Sequence, residues 1–250
     1  MTNKNVFARF FIKVRFFITL LLSMAGYVPK HATKIRTIAM LSSLSLFLYL
    51  TSYYPNSFKI AALYYLISEI LYIGFITLVL RKDGYRHWFI KKMGGEQKGY
   101  LVYEGVLGFL FFNNAASIGY VVSSTPGNLF HFVNKELLLA IVAILFITGF
   151  IVKIWAAKVV SIDIYYWKDM FLGRKISEFV VTGPYKYFSH PMYGIGQLQA
   201  YAVAIFYGSV YGLITAVLNQ CLIFSFYYAV ERKFIRRIYK KKTSKYIKEV

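Results

Sequence analysis

The sequence predicts an all-α, polytopic membrane protein with about six transmembrane helices, a C-terminal helical hairpin and both termini in the cytoplasm. Two observations support this prediction. The 250-residue chain is 58% hydrophobic and 20% aromatic, which is more apolar surface than a soluble fold of this length can bury. Its 30 Lys and Arg residues are also gathered in short runs between the apolar stretches, as expected of loops that face anionic headgroups.

Six apolar stretches define the predicted helices, because a bilayer core about 30 Å thick is crossed by roughly 20 helical residues. They are Thr37–Tyr54, Ile60–Leu80, Leu101–Ser123, Glu136–Val159, Met192–Tyr207 and Ser209–Val230. Gly208 allows a tight turn between the last two. We therefore divide the chain into a basic interfacial segment (1–36), a four-span scaffold (37–160), and a region that contains the hairpin, a functional motif and a basic tail (161–250).

The loop charges predict the orientation. Residues 1–36, 81–100, 153–190 and 231–250 hold 28 of the 30 Lys and Arg residues, so the positive-inside rule places these segments in the cytoplasm. The same placement favours the lipid bilayer as the partner and argues against nucleic acid. The basic tail Arg236–Lys248 is either attracted to an anionic leaflet or solvated. A bacterial inner membrane and the endoplasmic reticulum both remain open, as does the oligomeric state.

The N-terminal segment Phe7–Val28 is apolar but carries interleaved charge. Arg9, Lys13 and Arg15 alternate with phenylalanines, which is typical of an amphipathic helix lying in the headgroup region. A cleaved signal peptide would export Lys30 and its basic neighbours, against the charge bias. We favour the interfacial helix, with a spanning helix as the alternative.

Ionisable groups inside the predicted spans are costly, so each is a functional candidate. Glu69, Asn113 and Asn114 lie near the middles of two spans, and Glu104 lies nearer a span end. Glu69 and Asn113 are candidates for binding a substrate headgroup, whereas interhelical hydrogen bonding is the alternative and is favoured for the asparagines. Cys221 lies alone in an apolar run, so no disulfide and no metal site is predicted.

The densest group of candidate functional residues lies where the fifth stretch begins. Pro191 suits the first turn of a helix. A helix beginning there aligns four side chains on one face: His190, Tyr193, Gln197 and Tyr201. The hairpin returns Glu231 to the depth of His190. The sequence therefore predicts a polar, aromatic-walled cleft at the cytoplasmic boundary of the membrane.

The last span supplies the opposite wall of this cleft. The side chains that share a face there are Gln220, Phe224, Tyr227 or Tyr228, and Glu231. Gly194 and Gly196 have no side chains, so another helix or a ligand can approach the facing helix closely there. Taken singly, each residue also has a simpler role, since Glu231 can pair with a neighbouring cation and tyrosine is common in the interfacial belt.

Two segments resemble the signature of a superfamily of membrane methyltransferases: Val181–Gly194 (VTGPYKYFSHPMYG) and Tyr228–Tyr239 (YAVERKFIRRIY). The superfamily contains the phospholipid N-methyltransferases and the isoprenylcysteine carboxyl methyltransferases. The resemblance covers residues 161–246 and implies methyl transfer from S-adenosyl-L-methionine to a membrane lipid at the cytoplasmic face.

The resemblance also assigns roles to individual residues. It implies that the cofactor is bound by Gly183, Tyr185, His190, Tyr193, Gly194, Glu231 and Arg232. Glu231 and the aromatic faces suit the sulfonium and ammonium of the cofactor, and His190 or Arg232 suits its carboxylate. His190 and Glu231 are the catalytic candidates, because an amine substrate must lose a proton. Gln197 is a further candidate for substrate binding.

The chain departs from the superfamily pattern at four places. Ser189 replaces a common Arg, Val181 replaces a His of the isoprenylcysteine type, and Arg232 replaces a second acidic residue. A Gly-x-Gly of the phospholipid enzymes is not evident between Trp155 and Tyr166. The chain ending favours the phospholipid type, so we expect methylation of phosphatidylethanolamine or its methylated derivatives. The alternatives are an isoprenylcysteine-type carboxyl methyltransferase, a transporter and an inactive family member.

Overall fold

A computed structural model describes residues 3–239, and the rest of the predicted basic tail lies outside this range. No β-strand occurs within the described residues, so the all-α class is confirmed. The α-helices are α1 (Asn3–Met24), α2 (Lys34–Tyr53), α3 (Phe58–Leu80), α4 (Arg86–Lys92), α5 (Glu96–Ser124), α6 (Lys135–Tyr165), α7 (Lys168–Leu172), α8 (Leu198–Phe206), α9 (Val210–Phe226) and α10 (Arg232–Ile238). Shorter turns are the 3-10 helices Pro29–His31, Gly183–Lys186 and Ile195–Gln197 and the π-helix Tyr227–Glu231.

Five helical segments of the described chain are long and apolar enough to cross a membrane. They are Lys34–Tyr53, Phe58–Leu80, Glu96–Ser124, Lys135–Leu172 and Val210–Ile238. The fifth predicted span, Met192–Tyr207, contains only the shorter helix α8, so the expected start of a helix at Pro191 was wrong. The reason lies in Gly194, whose backbone (φ −88°, ψ −99°) is not helical. Two glycines within three residues weaken the helix, which then begins at Leu198.

Side-chain caps set where several of the helices begin. Thr33 accepts a hydrogen bond from the backbone N–H of Arg36 at 3.3 Å, and Asn134 accepts from the N–H of Glu136 at 2.9 Å. Ser209 accepts from the N–H of Gly212 at 2.9 Å. Each cap satisfies a donor that the first helical turn leaves without a partner.

The hairpin between α8 and α9 forms as the sequence predicts. Gly208 takes a left-handed backbone conformation (φ +59°) in the turn, which glycine adopts without steric cost. The turn sends α9 back alongside α8, so the end of α9 returns to the level of the segment that precedes α8.

The bundle is organised around α5, which packs against α2, α3, α4 and α9. Polar side chains link these helices: the Ser68 hydroxyl donates to that of Ser117 at 2.8 Å, and the Asn113 amide donates to Ser43 at 2.9 Å. Such bonds are expected where close-packed helices cross in lipid. By contrast, only 6% of the residues in the apolar part of α2, and likewise of α6, are buried. This fits helices whose outer faces contact lipid.

Glu104, the candidate near one end of α5, has a structural role. Its Oε2 atom lies 2.6 Å from Nδ1 of His31 and 3.0 Å from Nη1 of Arg36, and Arg36 also donates to the Leu101 carbonyl. These contacts attach to α5 both the turn before α2, through His31, and the first turn of α2, through Arg36.

The N-terminal segment folds as α1, as its pattern predicts. Phe10, Phe11 and Phe16 are more than half exposed, and the end of the helix is attached to the bundle by Tyr166, whose hydroxyl donates to the Ser23 carbonyl at 2.7 Å. Its location in the headgroup region stays a prediction.

Candidate active site

The residues of the sequence motif surround a cavity of about 290 Å³, which we call the main cavity. It lies between three segments: the junction of α6 and α7, the loop before α8, and the end of α9 with α10. The lining includes Tyr165, Trp167, Asp169, Tyr185, Lys186, Ser189, His190, Met192, Tyr193, Tyr227, Glu231, Arg232 and Tyr239. The cleft predicted from the hairpin is therefore present, and both of its predicted walls contribute to it.

A distorted backbone shapes one wall of the main cavity. The backbone of Ser161 interrupts α6 with φ 72° and ψ 158°, a conformation that residues other than glycine rarely adopt. The backbone of Trp167 is in the left-handed region, with φ 53°. Between them the chain changes direction, so that Tyr165, Trp167 and Asp169 all line the cavity. Strained residues of this kind tend to occur at functional sites.

Glu231 lies at the end of the π-helical turn on the opposite wall. Its Oε2 accepts a hydrogen bond from the Tyr193 hydroxyl at 2.8 Å, and Trp167 is a second hydrogen-bond donor to the same carboxyl group. The wider π turn inserts an extra residue into the helix and is common at functional sites. Here it allows Tyr227 and Glu231 to line the same cavity.

His190 packs against the aromatic face of α9. Its ring centroid lies 4.1 Å from that of Tyr227 and 5.7 Å from that of Phe224. Burial lowers the pKa of the imidazole below its ordinary value of 6.5, and the nearby charge of Arg232 lowers it further. A neutral ring can accept a proton, so these surroundings keep His190 available as a base.

Tyr185 reaches the cavity from a 3-10 turn that begins at Gly183. The backbone of Gly183 is left-handed (φ +62°), and it packs against Trp155 and Val159 of α6 where a larger residue would collide. Burial raises the pKa of the Tyr185 hydroxyl, and the charge of Glu231 raises it further. The phenol therefore stays protonated and can donate a hydrogen bond into the cavity.

Asp169 is a cavity residue that the sequence reasoning missed. Its Oδ2 accepts from the Tyr239 hydroxyl at 3.0 Å, and its Oδ1 accepts from the backbone N–H of Met170 at 2.8 Å. The side chain is buried. An acidic residue two positions after the aromatic run Tyr165–Trp167 was the available signal, because a carboxylate beside aromatic rings suits a cationic ligand.

The four side chains predicted to share one helix face do not all lie on a single helix, because α8 begins only at Leu198. Hydrogen bonds to the neighbouring helix α9 link two of these residues instead. The Tyr201 hydroxyl donates to Oε1 of Gln220 at 2.5 Å, and the Gln220 amide donates to the Tyr193 carbonyl at 2.8 Å. Gln220 thus connects α8 to the turn that holds Tyr193. Gly194 does not line the main cavity, and its carbonyl lies 3.4 Å from the same amide. The stem of Lys153 packs against Gly196, which accounts for a small residue there.

The three substrate-binding candidates occupy other places. Oε2 of Glu69 accepts hydrogen bonds from the Asn114 and Asn219 amides at 2.6 and 3.0 Å, and Asn113 accepts from the Tyr64 hydroxyl at 2.7 Å. These are interhelical bonds away from the main cavity, as favoured for the asparagines. Gln197 lines a second, smaller cavity next to the first.

Comparison with known proteins supports an assignment for the C-terminal part of the chain. Residues 137–242 match the phospholipid methyltransferase family. The match begins upstream of Ser161 and includes every wall of the main cavity. The resemblance to membrane methyltransferases predicted from the sequence is therefore confirmed, and the match favours the phospholipid type.

Three fungal relatives carry the same assignment. The phosphatidylethanolamine N-methyltransferase of Kluyveromyces lactis is 34% identical over 127 residues, which cover 48% of this chain and 15% of that protein. The enzyme of the same name from Eremothecium gossypii is 36% identical over 88 residues, covering 35% and 10% respectively. Phosphatidylethanolamine N-methyltransferase 1 of Vanderwaltozyma polyspora is 34% identical over 120 residues, covering 48% and 14%. The chain thus spans only a small part of the length of these relatives. No solved structure shows a significant match to it.

Proposed function

We propose that this protein methylates the amine of phosphatidylethanolamine, or of its methylated derivatives, using S-adenosyl-L-methionine in the main cavity. The observation that carries the proposal is the position of Glu231, a carboxylate that faces an aromatic-walled cavity and accepts a hydrogen bond from Tyr193. The family match over residues 137–242 and the names of the relatives support the lipid substrate.

The chemistry of the cavity walls fits the proposed methyl donor. Glu231 and Asp169 suit the cationic sulfonium and ammonium groups, and aromatic rings such as Tyr227 can contact a cation through their faces. Arg232 and His190 suit the carboxylate. The cofactor supplies an electrophilic methyl group when bound.

The side chains of this protein then position the amine and remove its proton. An amine attacks only in its neutral form, so a base must accept a proton before or during methyl transfer. His190 Nε2 or Nδ1 and the carboxylate of Glu231 are the acceptors in the cavity. The fixed Tyr193–Glu231 hydrogen bond holds one of them in place, and alignment of the reacting groups supplies much of the remaining rate.

We propose that the main cavity faces the cytoplasm. Most of the segments that surround it, residues 166–190 and 231–239, belong to the basic loops that the positive-inside rule places there. An aminolipid of the cytoplasmic leaflet can then bring its headgroup to the cavity while its acyl chains stay in the bilayer.

A reconstituted assay tests the proposal. Purified protein in phosphatidylethanolamine liposomes, given labelled S-adenosyl-L-methionine, should transfer label to the lipid, and Glu231→Ala should abolish transfer while the protein still inserts. Cys221→Ala, at an exposed position on α9, is the matched control and should remain active. Transfer to a prenylated cysteine peptide, with none to lipid, would overturn the assigned substrate.

A further inference from the structure

A second cavity, of about 50 Å³, lies beside the main cavity, and we call it the lysine cavity. The two cavities share four lining residues: Tyr165, Trp167, Met192 and Tyr193. The polar side chains of the lysine cavity are those of Tyr72, Lys153, Tyr165, Tyr166, Trp167, Tyr193 and Gln197. Its volume holds a group the size of a few water molecules, which is enough for an oxyanion.

The polar groups of the lysine cavity lie around the ring of Phe111. The Lys153 ammonium is 6.0 Å from the centroid of this ring, and the Tyr72 and Tyr165 ring centroids are 5.8 and 6.1 Å from it. Within residues 3–239, neither the ammonium, nor these two hydroxyls, nor the Gln197 amide has a side-chain hydrogen bond. These groups together offer several hydrogen-bond donors, one of them an ammonium.

The two cavities therefore differ in the charge that they suit. The main cavity is lined by acidic side chains (Asp169, Glu178 and Glu231) and by basic ones (Lys186, Arg232 and Arg236). The lysine cavity presents an ammonium and hydrogen-bond donors without a carboxylate among its lining residues. A buried ammonium with no anionic partner is costly in a membrane. An anion bound there would remove that cost, and a zwitterion could occupy both cavities at once.

The depths of the cavities match the order of groups in an aminolipid. Ile223 of the lysine cavity lies on α9, and Glu231 lies eight residues later at the end of the π-helix. Eight residues correspond to roughly 12 Å along a helix. On α6, Lys153 likewise precedes Val160 of the main cavity. The lysine cavity is thus farther from the basic loops, and the flexible lysine stem can extend back toward them. In a lipid of the cytoplasmic leaflet, the phosphate likewise lies deeper than the amine.

We propose that the lysine cavity binds the phosphodiester of the aminolipid substrate while the amine reaches the main cavity. Lys153 supplies the countercharge, and Tyr72, Tyr165 and Gln197 supply hydrogen bonds. Lys153 is then a residue that selects phosphate-bearing amines. The assignment rests on the proposed function, because it names how the substrate of that same reaction is held. The other available oxyanion is the carboxylate of the methyl donor.

Binding measurements without turnover test this assignment. A short-chain phosphatidylethanolamine and S-adenosyl-L-methionine are titrated separately into detergent-solubilised protein by calorimetry. Lys153→Met should weaken lipid binding by about tenfold or more, as expected for the loss of a charged hydrogen bond, and leave donor binding within about twofold. Lys153→Arg should retain most of the lipid affinity, and a long-chain amine without phosphate should bind Lys153→Met and the wild type equally.

Two outcomes would overturn the assignment: unchanged lipid affinity in Lys153→Met, or weakened donor affinity in its place. Tyr72→Phe is a second variant that leaves the charge intact, and it should weaken lipid binding by a few-fold. Because no turnover is required, a wild type that binds the lipid through Lys153 but transfers no methyl group would contradict the proposed function and leave the phosphate site standing.

Discussion

Two glutamates within the helical bundle, Glu69 and Glu231, have opposite surroundings. Glu69 is 3% exposed and accepts hydrogen bonds from the amides of Asn114 and Asn219. Glu231 is partly exposed because it faces the main cavity, and its hydrogen bond comes from Tyr193. In the sequence, Glu69 lies within a predicted span and Glu231 lies directly after the last one. Glu69, which amides surround, is expected to stabilise helix packing, whereas Glu231, which borders open space, is expected to act in the proposed reaction.

The largest expected effect comes from removing each carboxylate in turn. Glu231→Gln should lower the methylation rate by roughly 1,000-fold, because the cavity loses its negative charge and a proton acceptor. Glu69→Gln keeps an acceptor for the two asparagines and should leave the rate unchanged. Initial rates in liposomes, normalised to folded protein, measure both variants. Equal losses in the two would show that the comparison is wrong.

His190 extends the comparison to pH. Its pKa is lowered in the folded protein, so the neutral imidazole persists below pH 6.5 and the methylation rate should fall only as the pH drops through the lowered value. The same shift makes folding stability fully present above pH 6.5 and lost as the pH falls through the folded pKa.

The pH profile of kcat/KM tests the role of this imidazole. His190→Gln should reduce the rate by roughly 100-fold and remove the acidic limb of the profile. An acidic limb that survives in His190→Gln would assign that limb to another group.

Asp169 tests whether the second carboxylate of the main cavity binds the methyl donor. Asp169→Asn should raise the Kd for S-adenosyl-L-methionine by about tenfold, because one charge-assisted contact to a cationic group is lost. Asp163→Asn is the matched control, since Asp163 pairs with Lys30 and Lys168 at the surface. Calorimetry distinguishes the two, and a larger loss in Asp163→Asn would contradict the assignment.

Ser161 tests the strained wall of the main cavity. Its backbone conformation (φ 72°, ψ 158°) suits glycine, so Ser161→Gly should stabilise the fold by about 1 kcal/mol by relieving strain. Ser161→Ala keeps the strain and should give no gain. Thermal unfolding in detergent measures both, and an equal shift in the two would show that the hydroxyl, rather than the backbone, is responsible.

Much of this site follows from local patterns in the sequence. The Gly183-Pro-Tyr turn, the His190-Pro pair and Glu231 can each be recognised from neighbouring residues alone. Gly208 indicates the hairpin that brings them together. Asp169 was missed because its position in the wall of the main cavity depends on two residues with non-helical backbone, Ser161 and Trp167. Neither of these residues is glycine. Such conformations are imposed by packing and leave no mark in residue preferences. The late start of α8 differs, because a signal was present in the sequence: Gly194 and Gly196 disfavour a helix. In the fold, Gly196 packs against Lys153 of α6, and the Gly194 carbonyl lies near the Gln220 amide of α9.

The helical class, the apolar segments, the distribution of basic loops and the methyltransferase motif can all be read from the amino-acid sequence. Each of these features depends on composition or on the spacing of residues within a few helical turns. The fold was needed to show which acidic residues border a cavity, that Asp169 and Glu231 line the same one, and that Lys153 lies in an adjoining one. These positions depend on how distant helices cross, and the crossing is set by the packing of many side chains at once.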